Sequence, residues 1–565
     1  MLGLHPADLL ALAGYVVLVC FIGVWTARRV KTVADYVMPR RFGKLLMIFF
    51  AFGTGTHSDQ AVSVASKSYT NGISGIWYQW LWLFCTPFYW LIAPVMRRFR
   101  AITTADIFEL RYNGSVGMLY AIVALMQYTV QIGVMLKGSA AVIEASTAGT
   151  VDANWAIAIM TVLFVAYGIA GGLHAAVLTD VIQGVLTIFF SFLLLPYLLS
   201  AIGGLEGMRE QVPSDMLSII APAEIGVFYV AIIALNGLIG IVTQPHTLAA
   251  CAAGRTELDG QIGWMCGNFM KRICTVAWTL TGVAAIAYFA QRGIQDVEPD
   301  NVFGQIAHEF LPRGLLGLFL AGLLASVMSS CDAFMIATSG LFTENLYRRI
   351  VSNASPGHYL WVARLSSLGI VAAGVVFAYL LEDVVSGLEI FWKIAAMLGI
   401  AFWLGLFWRR MTVAGAWAST LAASAAWWLS IQGFFVEWAA SLPVSESLRF
   451  VLVRDGVPEI YLPWQMIFYL ATGLVFGVVA SLVTRSVAHE RLERFYALVR
   501  TPVIAGEEVD RPCTIPKGAT TQPRRKLLPT ASLEIYVPRA QMLAGFFAGW
   551  VAVAILIGAV LWIVA

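Results

Sequence analysis

Long apolar runs recur along almost the whole chain, separated mainly by short polar loops. A helix that crosses a bilayer needs roughly 20 mostly apolar residues. The pattern therefore predicts an all-α integral membrane protein with about fourteen transmembrane helices, and a short amphipathic helix over 302–311. The predicted spans are 8–27, 44–65, 73–95, 117–147, 154–170, 175–203, 224–251, 265–290, 314–341, 358–381, 385–408, 412–435, 462–484 and 543–564.

The composition agrees with this interpretation. Hydrophobic residues make up 59% of the chain and charged residues 12%, against roughly 25% charged residues in soluble domains. A water-soluble fold cannot hide that much apolar surface, so the lipid bilayer is the expected partner. The net charge of +3 gives no reason to expect nucleic-acid binding. The chain contains no P-loop, HExxH or GxSxG motif and is predicted not to be an enzyme.

Basic residues predict the orientation of the spans. Arg28, Arg29 and Lys31 follow the first span, and the polar stretch 485–541 is rich in arginine. Cytoplasmic loops carry an excess of Lys and Arg. We therefore expect a multi-pass protein of the plasma (inner) membrane with both termini outside. The 485–541 stretch is interpreted as a cytoplasmic linker, and docking of a partner is the alternative.

The second span contains polar residues where lipid should allow few. Its sequence FGTGTHSDQ places two glycines, Gly53 and Gly55, before a polar tract that includes Asp59. A charge at the centre of a membrane helix costs roughly 2.5–3.5 kcal/mol. A helix broken here would expose carbonyl groups that can coordinate a cation. The alternative is a tightly packed kink with Asp59 paired to a lysine.

The ninth span combines small and polar residues on one face. Gly322, Ser326, Ser329 and Ser330 recur at three- and four-residue steps, and Asp332 follows them. Small faces usually pack closely against another helix. The carboxylate beside two hydroxyls makes a site for a hard cation the alternative to simple packing.

Two further spans carry polar or helix-breaking residues. Asp180 lies near the start of the sixth span, and Gly171 and Gly172 before it suit a tight cytoplasmic turn. The seventh span is interrupted by TQPH at 243–246, where Pro245 should kink the helix.

Lysines within spans are a weaker signal. Lys137 in the fourth span and Lys393 in the eleventh are both expected to be buried. Their long side chains could instead reach an interface, so they identify no site by themselves.

These motifs, in this order, resemble the sodium:solute symporter family, which includes sodium/proline and sodium/glucose cotransporters. The resemblance covers roughly 8–485. Its most specific motifs are YGIAGGLHAAVLTDVIQ, LLASVMSSCDAFMIATSGLFTENLYRR and RRMTVAGAWAS. It implies a LeuT-type core of two inverted five-helix repeats, with binding sites where the first helix of each repeat is broken.

The resemblance also implies a domain organisation. Two five-helix repeats are flanked by an N-terminal helix and by additional C-terminal helices. The expected units are 1–43 (first transmembrane helix and loop), 44–203 (first repeat), 204–410 (second repeat), 411–484 (two additional helices), 485–541 (basic cytoplasmic segment) and 542–565 (C-terminal helix).

Carried over by position, the resemblance implies one sodium site. The backbone carbonyls of His57, Gln60 and Ser326 would supply three oxygens. The hydroxyls of Ser329 and Ser330 would complete the site.

Other polar residues have roles that stay open. Asp59, Asp180 and Asp332 are candidates for a second ion or for coupling. Four residues could touch the solute: Gln127, Gln131, Gln244 and His246.

The resemblance implies a sodium-coupled secondary symporter that imports a small organic solute by alternating access. Amino acids, carboxylates and sugars all remain candidate solutes. Two alternatives stay open. The first is proton coupling through Asp59 or His57, and the second is a non-transporting sensor or accessory subunit on the same scaffold. The oligomeric state is not predicted.

Overall fold

A computed structural model describes residues 4–27, 37–38, 40–221, 225–454, 456–504, 506–509 and 511–565. Arg28, Arg29 and Lys31, on which the orientation of the first span depends, lie outside these residues. The orientation of the termini therefore stays a prediction.

The first half of the described chain is helical throughout. Its helices are α1 (Pro6–Ala27), α2 (Lys44–Gly55), α3 (Ser58–Asn71), α4 (Trp77–Trp80), α5 (Thr86–Arg98), α6 (Thr104–Arg111), α7 (Gly114–Ser146), α8 (Ala153–Ile202), α9 (Gly204–Gln211), α10 (Val227–Ile241) and α11 (Pro245–Ala252), with a 3-10 helix at Gly72–Ile76.

The second half adds one small hairpin to further helices. Its elements are α12 (Glu257–Arg292), α13 (Val302–Phe310), α14 (Leu315–Gly340), α15 (Arg348–Ile350), α16 (Pro356–Leu380), α17 (Val384–Phe407), α18 (Val413–Ser430), α19 (Gly433–Ser441), α20 (Ser445–Leu448), β1 (Val451–Arg454), β2 (Val457–Ile460), α21 (Leu462–Val483), α22 (His489–Arg500) and α23 (Ala540–Val564), with a 3-10 helix at Pro299–Asn301 and a π-helix at Leu341–Tyr347. The two strands pair antiparallel, with Val451 opposite Ile460.

All fourteen predicted spans coincide with helical segments, and α13 confirms the predicted amphipathic helix. Among the described residues, eight helices are long and apolar enough to cross a membrane alone. The bent pair α10 and α11 raises this number to nine. Several other predicted spans correspond to shorter or interrupted helices, such as α2 and α3 within 44–65. The protein is thus a mostly helical, multi-pass membrane protein.

The predicted spans 154–170 and 175–203 both fall within α8, whose apolar parts Ala153–Ala166 and Ala176–Ile202 match them. The cytoplasmic turn predicted at Gly171 and Gly172 lies between these two parts, outside the residues whose side chains the structure describes, so it stays a prediction.

Close helix packing positions the first broken helix. A methyl group added at Gly263 of α12 would lie 2.4 Å from Cβ of Met47, and one at Gly267 would lie 2.6 Å from the carbonyl oxygen of Ile48. Small residues of this kind let helix backbones approach each other in membranes. Helix α2 is therefore held tightly against α12, and it also contacts α8 and α14.

The stretch 485–541, which we call the linking segment, contains helix α22 and otherwise irregular backbone. Buried ion pairs attach it to the ends of the membrane helices. Glu507 lies 3.2 Å from Arg97 and 2.8 Å from Arg100. Glu534 lies 2.5 Å from Arg409, just after α17. The segment is therefore docked on the helix bundle, which the irregular composition did not indicate.

We predict that Glu507→Gln lowers the melting temperature of the detergent-purified protein. Both arginine side chains that it contacts are at most 3% exposed. Breaking a buried ion pair costs about 3–5 kcal/mol, because one charge stays buried without its partner. The matched control is Glu508→Gln, since Glu508 is exposed. Equal melting temperatures for the two variants would contradict the docking described here.

Candidate ion and solute site

The first broken helix interrupts the core between α2 and α3. Thr56 and His57 have extended backbone, with φ/ψ of −124°/106° and −122°/159°. His57 caps α3, and its backbone N–H donates to Oε1 of Gln60 at 3.4 Å. The break confirms the interpretation of FGTGTHSDQ as an interrupted helix. It leaves carbonyl groups near the end of α2 available to other partners.

The second broken helix lies between α10 and α11, which are bent by 70°. Pro245 is the first residue of α11, as the TQPH motif predicted. The carbonyl of Thr243 at the break accepts a hydrogen bond of 2.6 Å from the Tyr120 hydroxyl. The Tyr128 hydroxyl accepts from the backbone N–H of His246 at 2.7 Å. Side chains thus satisfy backbone groups that the bend releases.

Hydroxyl groups of α14 bind the first break. The Ser330 hydroxyl donates to the carbonyl of Gly53 at 2.8 Å, and it also lies 3.5 Å from the carbonyl of Thr56. The Ser326 hydroxyl donates to the Thr56 carbonyl at 3.1 Å. The Ser329 hydroxyl donates to the carboxylate of Asp180 on α8. We call these groups on α2, α8 and α14 the oxygen cluster.

Glycine at position 53 makes this approach possible. A Cβ atom there would lie 2.4 Å from Oγ of Ser329 and 3.1 Å from Oδ1 of Asp180. The alternative interpretation of the ninth span, simple packing, holds for Gly322 on the same helix. A Cβ atom at Gly322 would lie 2.7 Å from Cβ of Phe190.

The structure gathers only part of the predicted sodium ligands. Ser326, Ser329 and Ser330 lie together at the break. The predicted carbonyl of His57 accepts the N–H of Gln60 at 3.1 Å. The predicted carbonyl of Gln60 accepts the hydroxyl of Ser63 at 3.3 Å. The carbonyls that contact the serine hydroxyls are those of Gly53 and Thr56 instead.

Two buried carboxylates accompany the oxygen cluster. Asp180 is fully buried, and within the described residues its Oδ2 has no hydrogen-bond partner. Asp332 on α14 is also buried, and its charge acts on Asp180. Negative charge concentrated in an apolar interior attracts cations.

Asp59 belongs to a separate polar network on α3. Its Oδ1 lies 3.2 Å from Nδ1 of His57, and its Oδ2 accepts from the Gln131 amide at 3.3 Å. Nε2 of Gln60 lies 2.9 Å from Nδ1 of His57. In the described part of the chain, Asp59 lies within salt-bridge distance of no lysine, although its charge acts on Lys271. The alternative of a packed kink with Asp59 paired to a lysine therefore stays open.

A small central cavity lies between the two breaks. Its volume of about 30 Å³ leaves room for only about two water molecules, so an organic solute does not fit without movement of the walls. His57 and Gln60 of the first break line the cavity, as do Gln244 and His246 of the second. The aromatic ring of Phe334 on α14 forms another wall.

Two cationic residues at the cavity were missed from the sequence. Lys271 and Arg272 on α12 both line it and are buried. Lys271 lies 5.2 Å from the centre of the Trp82 ring, and it makes no ion pair among the residues that the structure describes. Arg272 donates to the carbonyl of Gln79 at 3.1 Å. The signal in the sequence that could have identified them is two adjacent charged residues within an apolar run. Of the two lysines expected to be buried, Lys393 is buried and lies 3.8 Å from Glu389, whereas Lys137 is half-buried, and neither lines this cavity.

The four predicted solute residues fall into different places. Gln244 and His246 line the cavity. The side-chain amide of Gln131 instead donates a hydrogen bond to the carboxylate of Asp59. Gln127 is fully buried on α7, outside the cavity lining, and its side-chain amide has no partner among the described residues.

One helix broken beside an oxygen cluster, a second broken helix, and a small cavity between them are features of transporters with a LeuT-type fold. The chain belongs to the sodium:solute symporter family, whose profile matches residues 36–423, more than half of its length. The family consists of transporters, so the protein is a transporter and not an enzyme.

Similar proteins differ in their solutes. The chain is 26% identical to the high-affinity proline transporter PutP of Bacillus subtilis (strain 168), over 72% of this chain and 88% of that protein. It is 23% identical to sodium/glucose cotransporter 4 of Danio rerio, over 91% and 84%. The solved structure of a Na+-coupled sialic acid symporter superposes with a TM-score of 0.68 at 16% identity, over 85% of this chain and 99% of that chain. At this identity the structural likeness concerns the fold alone.

We predict that Gly53→Ala lowers the melting temperature of the purified protein by several degrees. The new methyl group would clash with Ser329 and Asp180, and overpacking of this kind costs about 1–3 kcal/mol. Gly55→Ala on the same helix is the control, because its nearest contact would be Oδ1 of Asn268 at 3.8 Å. An equal effect of both substitutions would mean that close approach at Gly53 is unimportant.

Proposed function

We propose that the protein imports a small organic solute together with sodium by alternating access. The observation that carries this proposal is the oxygen cluster, in which hydroxyls of α14 meet the broken end of α2. Membership of a sodium:solute symporter family supports it. The arrangement concentrates oxygen atoms at a mid-helix break, and hard cations prefer oxygen ligands.

Sodium binds, in this proposal, between the first break and α14. The hydroxyls of Ser329 and Ser330 are ligands, together with the carbonyls of His57, Gln60 and Ser326. In the structure the Ser330 hydroxyl donates to the carbonyl of Gly53. A bound ion would replace this hydrogen bond, turning the hydroxyl oxygen and nearby carbonyls towards itself. Binding would then hold α2, α3 and α14 together.

Asp180 is the proposed residue for a second ion or for coupling. Its contact with Ser329 joins it to the sodium ligands, and its Oδ2 has no hydrogen-bond partner among the described residues. A buried carboxylate oxygen without a partner is costly, so a cation or a proton beside it would be stabilising. Asp332 adds to the negative charge. Asp59 acts from its network with His57, away from the hydroxyls.

The solute binds in the central cavity after the walls move apart. The cavity is lined by the amides of Gln60 and Gln244 and by the ammonium group of Lys271. Lys271 forms no ion pair in the described part of the chain, and the charge of Asp59 acts on it only from beyond salt-bridge distance. We infer that the solute presents an acceptor group to it. A carboxylate or a ring of hydroxyls would meet this requirement.

The membrane potential makes sodium an effective driving ion. One charge crossing 100 mV yields about 2.3 kcal/mol. Since each 1.4 kcal/mol is a factor of ten, this supports about fifty-fold accumulation of the solute.

We predict that the double substitution of Ser329→Ala and Ser330→Ala raises the sodium concentration for half-maximal uptake roughly tenfold or more. Removing a polar group that contacts a charge costs about 1.5–3 kcal/mol, and this variant removes two such groups. Uptake of labelled proline, pyruvate and glucose into proteoliposomes under a sodium gradient measures this. Ser339→Ala is the control, since its hydroxyl bonds the carbonyl of Ile336 within α14.

Three results would contradict this proposal. Unchanged sodium dependence in the double variant would contradict the assignment of Ser329 and Ser330 as sodium ligands. Uptake driven by a pH gradient without sodium would favour proton coupling. Uptake of none of the solutes, alongside sodium-specific stabilisation, would favour a sensor or accessory role.

We predict that Lys271→Gln weakens the apparent affinity for the transported solute by about tenfold or more, because an anionic or hydroxyl acceptor loses its charged partner. Stabilisation by sodium should stay unchanged, since Lys271 contacts no member of the oxygen cluster among the described hydrogen bonds and ion pairs. Competition of unlabelled solute with labelled solute measures the affinity. Lys137→Gln provides the control for removing a membrane lysine, and an equal loss in both variants would contradict the role of Lys271.

A further inference from the structure

An apolar groove of about 930 Å³ opens on the side of the bundle, away from the central cavity. Membrane helices α5, α10, α17 and α21 form its walls, and the end of the linking segment closes one end. Leu235 on α10 and Leu474 on α21 are 48% and 46% exposed within it. The volume lies in the upper range of ligand pockets, roughly 300–1,000 Å³.

Charged residues gather at one end of this groove. Three are arginines, Arg98, Arg524 and Arg539, and two are carboxylates, Glu257 and Glu534. Glu257 is paired with Arg98, with oxygen–nitrogen distances of 2.7 and 2.6 Å. This carboxylate acts on Arg524 only at longer range, since its hydrogen bonds are made to Arg98.

The second carboxylate is also neutralised by neighbouring cations. Glu534 pairs with Arg409 at 2.5 Å and with Lys526 at 3.0 Å. Arg524 and Arg539 are consequently left without a carboxylate partner in the described part of the chain. Arg539 has a hydrogen bond of 2.5 Å to the amide oxygen of Gln522.

The position of Arg524 is costly without an anion. Its side chain is half-buried. Burial, with the nearby charges of Arg98 and Arg539, lowers its pKa to about 10. It stays protonated at neutral pH, and the charge of Glu257 offsets only part of its burial and of the repulsion from the two arginines, so a positive charge faces the apolar groove.

We propose that this groove binds an anionic phospholipid. An acyl chain lies along the apolar wall that includes Leu235 and Leu474, and the phosphate group contacts Arg524 and Arg539. Only an amphiphile satisfies both ends of the groove, and arginine pairs with phosphate through two parallel hydrogen bonds. In the predicted topology the charged end lies in the inner leaflet, where basic pockets between helices bind acidic lipid headgroups. This inference does not depend on the proposed sodium or solute sites.

Native mass spectrometry of the full-length protein in detergent tests the proposal. The probes are phosphatidylglycerol and phosphatidylcholine with identical acyl chains. We expect phosphatidylglycerol to bind more tightly. The combined Arg524→Gln and Arg539→Gln variant should lose this preference, with binding of phosphatidylglycerol weakened roughly tenfold or more. Arg525→Gln is the matched control, because Arg525 is exposed and does not line the groove.

A second variant tests the apolar wall of the groove and changes no charge. The double substitution Leu235→Trp and Leu474→Trp should block the groove and reduce binding of phosphatidylglycerol. The melting temperature in detergent alone should stay near that of the wild type.

Three outcomes would overturn the proposal. One is equal binding of the two lipids to the wild type. Another is an equal loss in Arg525→Gln and in the double arginine variant. The third is full displacement of phosphatidylglycerol by glycerol phosphate alone, which would mean that the site recognises a free phosphate and needs no acyl chain.

Discussion

The whole site depends on one constraint, that backbone groups released by a broken helix in a membrane must find partners inside the protein. At the first break these partners are serine hydroxyls of α14, which reach the carbonyls of Gly53 and Thr56. At the second break they are the hydroxyls of Tyr120 and Tyr128. Each break therefore requires a particular neighbouring helix, and the packing of the core follows from these requirements.

This constraint connects ion binding to solute binding. The first break contributes both to the oxygen cluster and, through His57 and Gln60, to the lining of the central cavity. A cation that reorganises the carbonyls of the break would also move the walls that meet the solute. The cavity holds only about 30 Å³, so such movement is needed before a solute can fit. In the proposed function, coupling would result from two sites that share the first break.

Much of this could be predicted from the sequence because lipid leaves few solutions. Apolar runs predicted the helices, and FGTGTHSDQ and TQPH predicted the breaks, since glycine, proline and polar residues are rare without a reason at such depth. Local sequence could not predict which carbonyl faces which hydroxyl. The contacts made by Gly53 and Thr56 depend on the register between α2 and α14, which is set by packing over the whole bundle.

Other features were missed for similar reasons. Lys271 is one charge within the predicted span 265–290, and only the placement of α12 beside both breaks brings it to the cavity. Composition suggested that residues 485–541 form a loose linker, but Glu507 and Glu534 find arginines that are distant in sequence.

The most direct test of a sodium-binding oxygen cluster is the melting temperature of the purified protein in sodium and in potassium at equal ionic strength. Ligand at a hundred times its dissociation constant stabilises a folded protein by about 2.7 kcal/mol. The account predicts a saturable rise in melting temperature with sodium that potassium does not reproduce. Identical melting curves in the two salts over the full concentration range would contradict it.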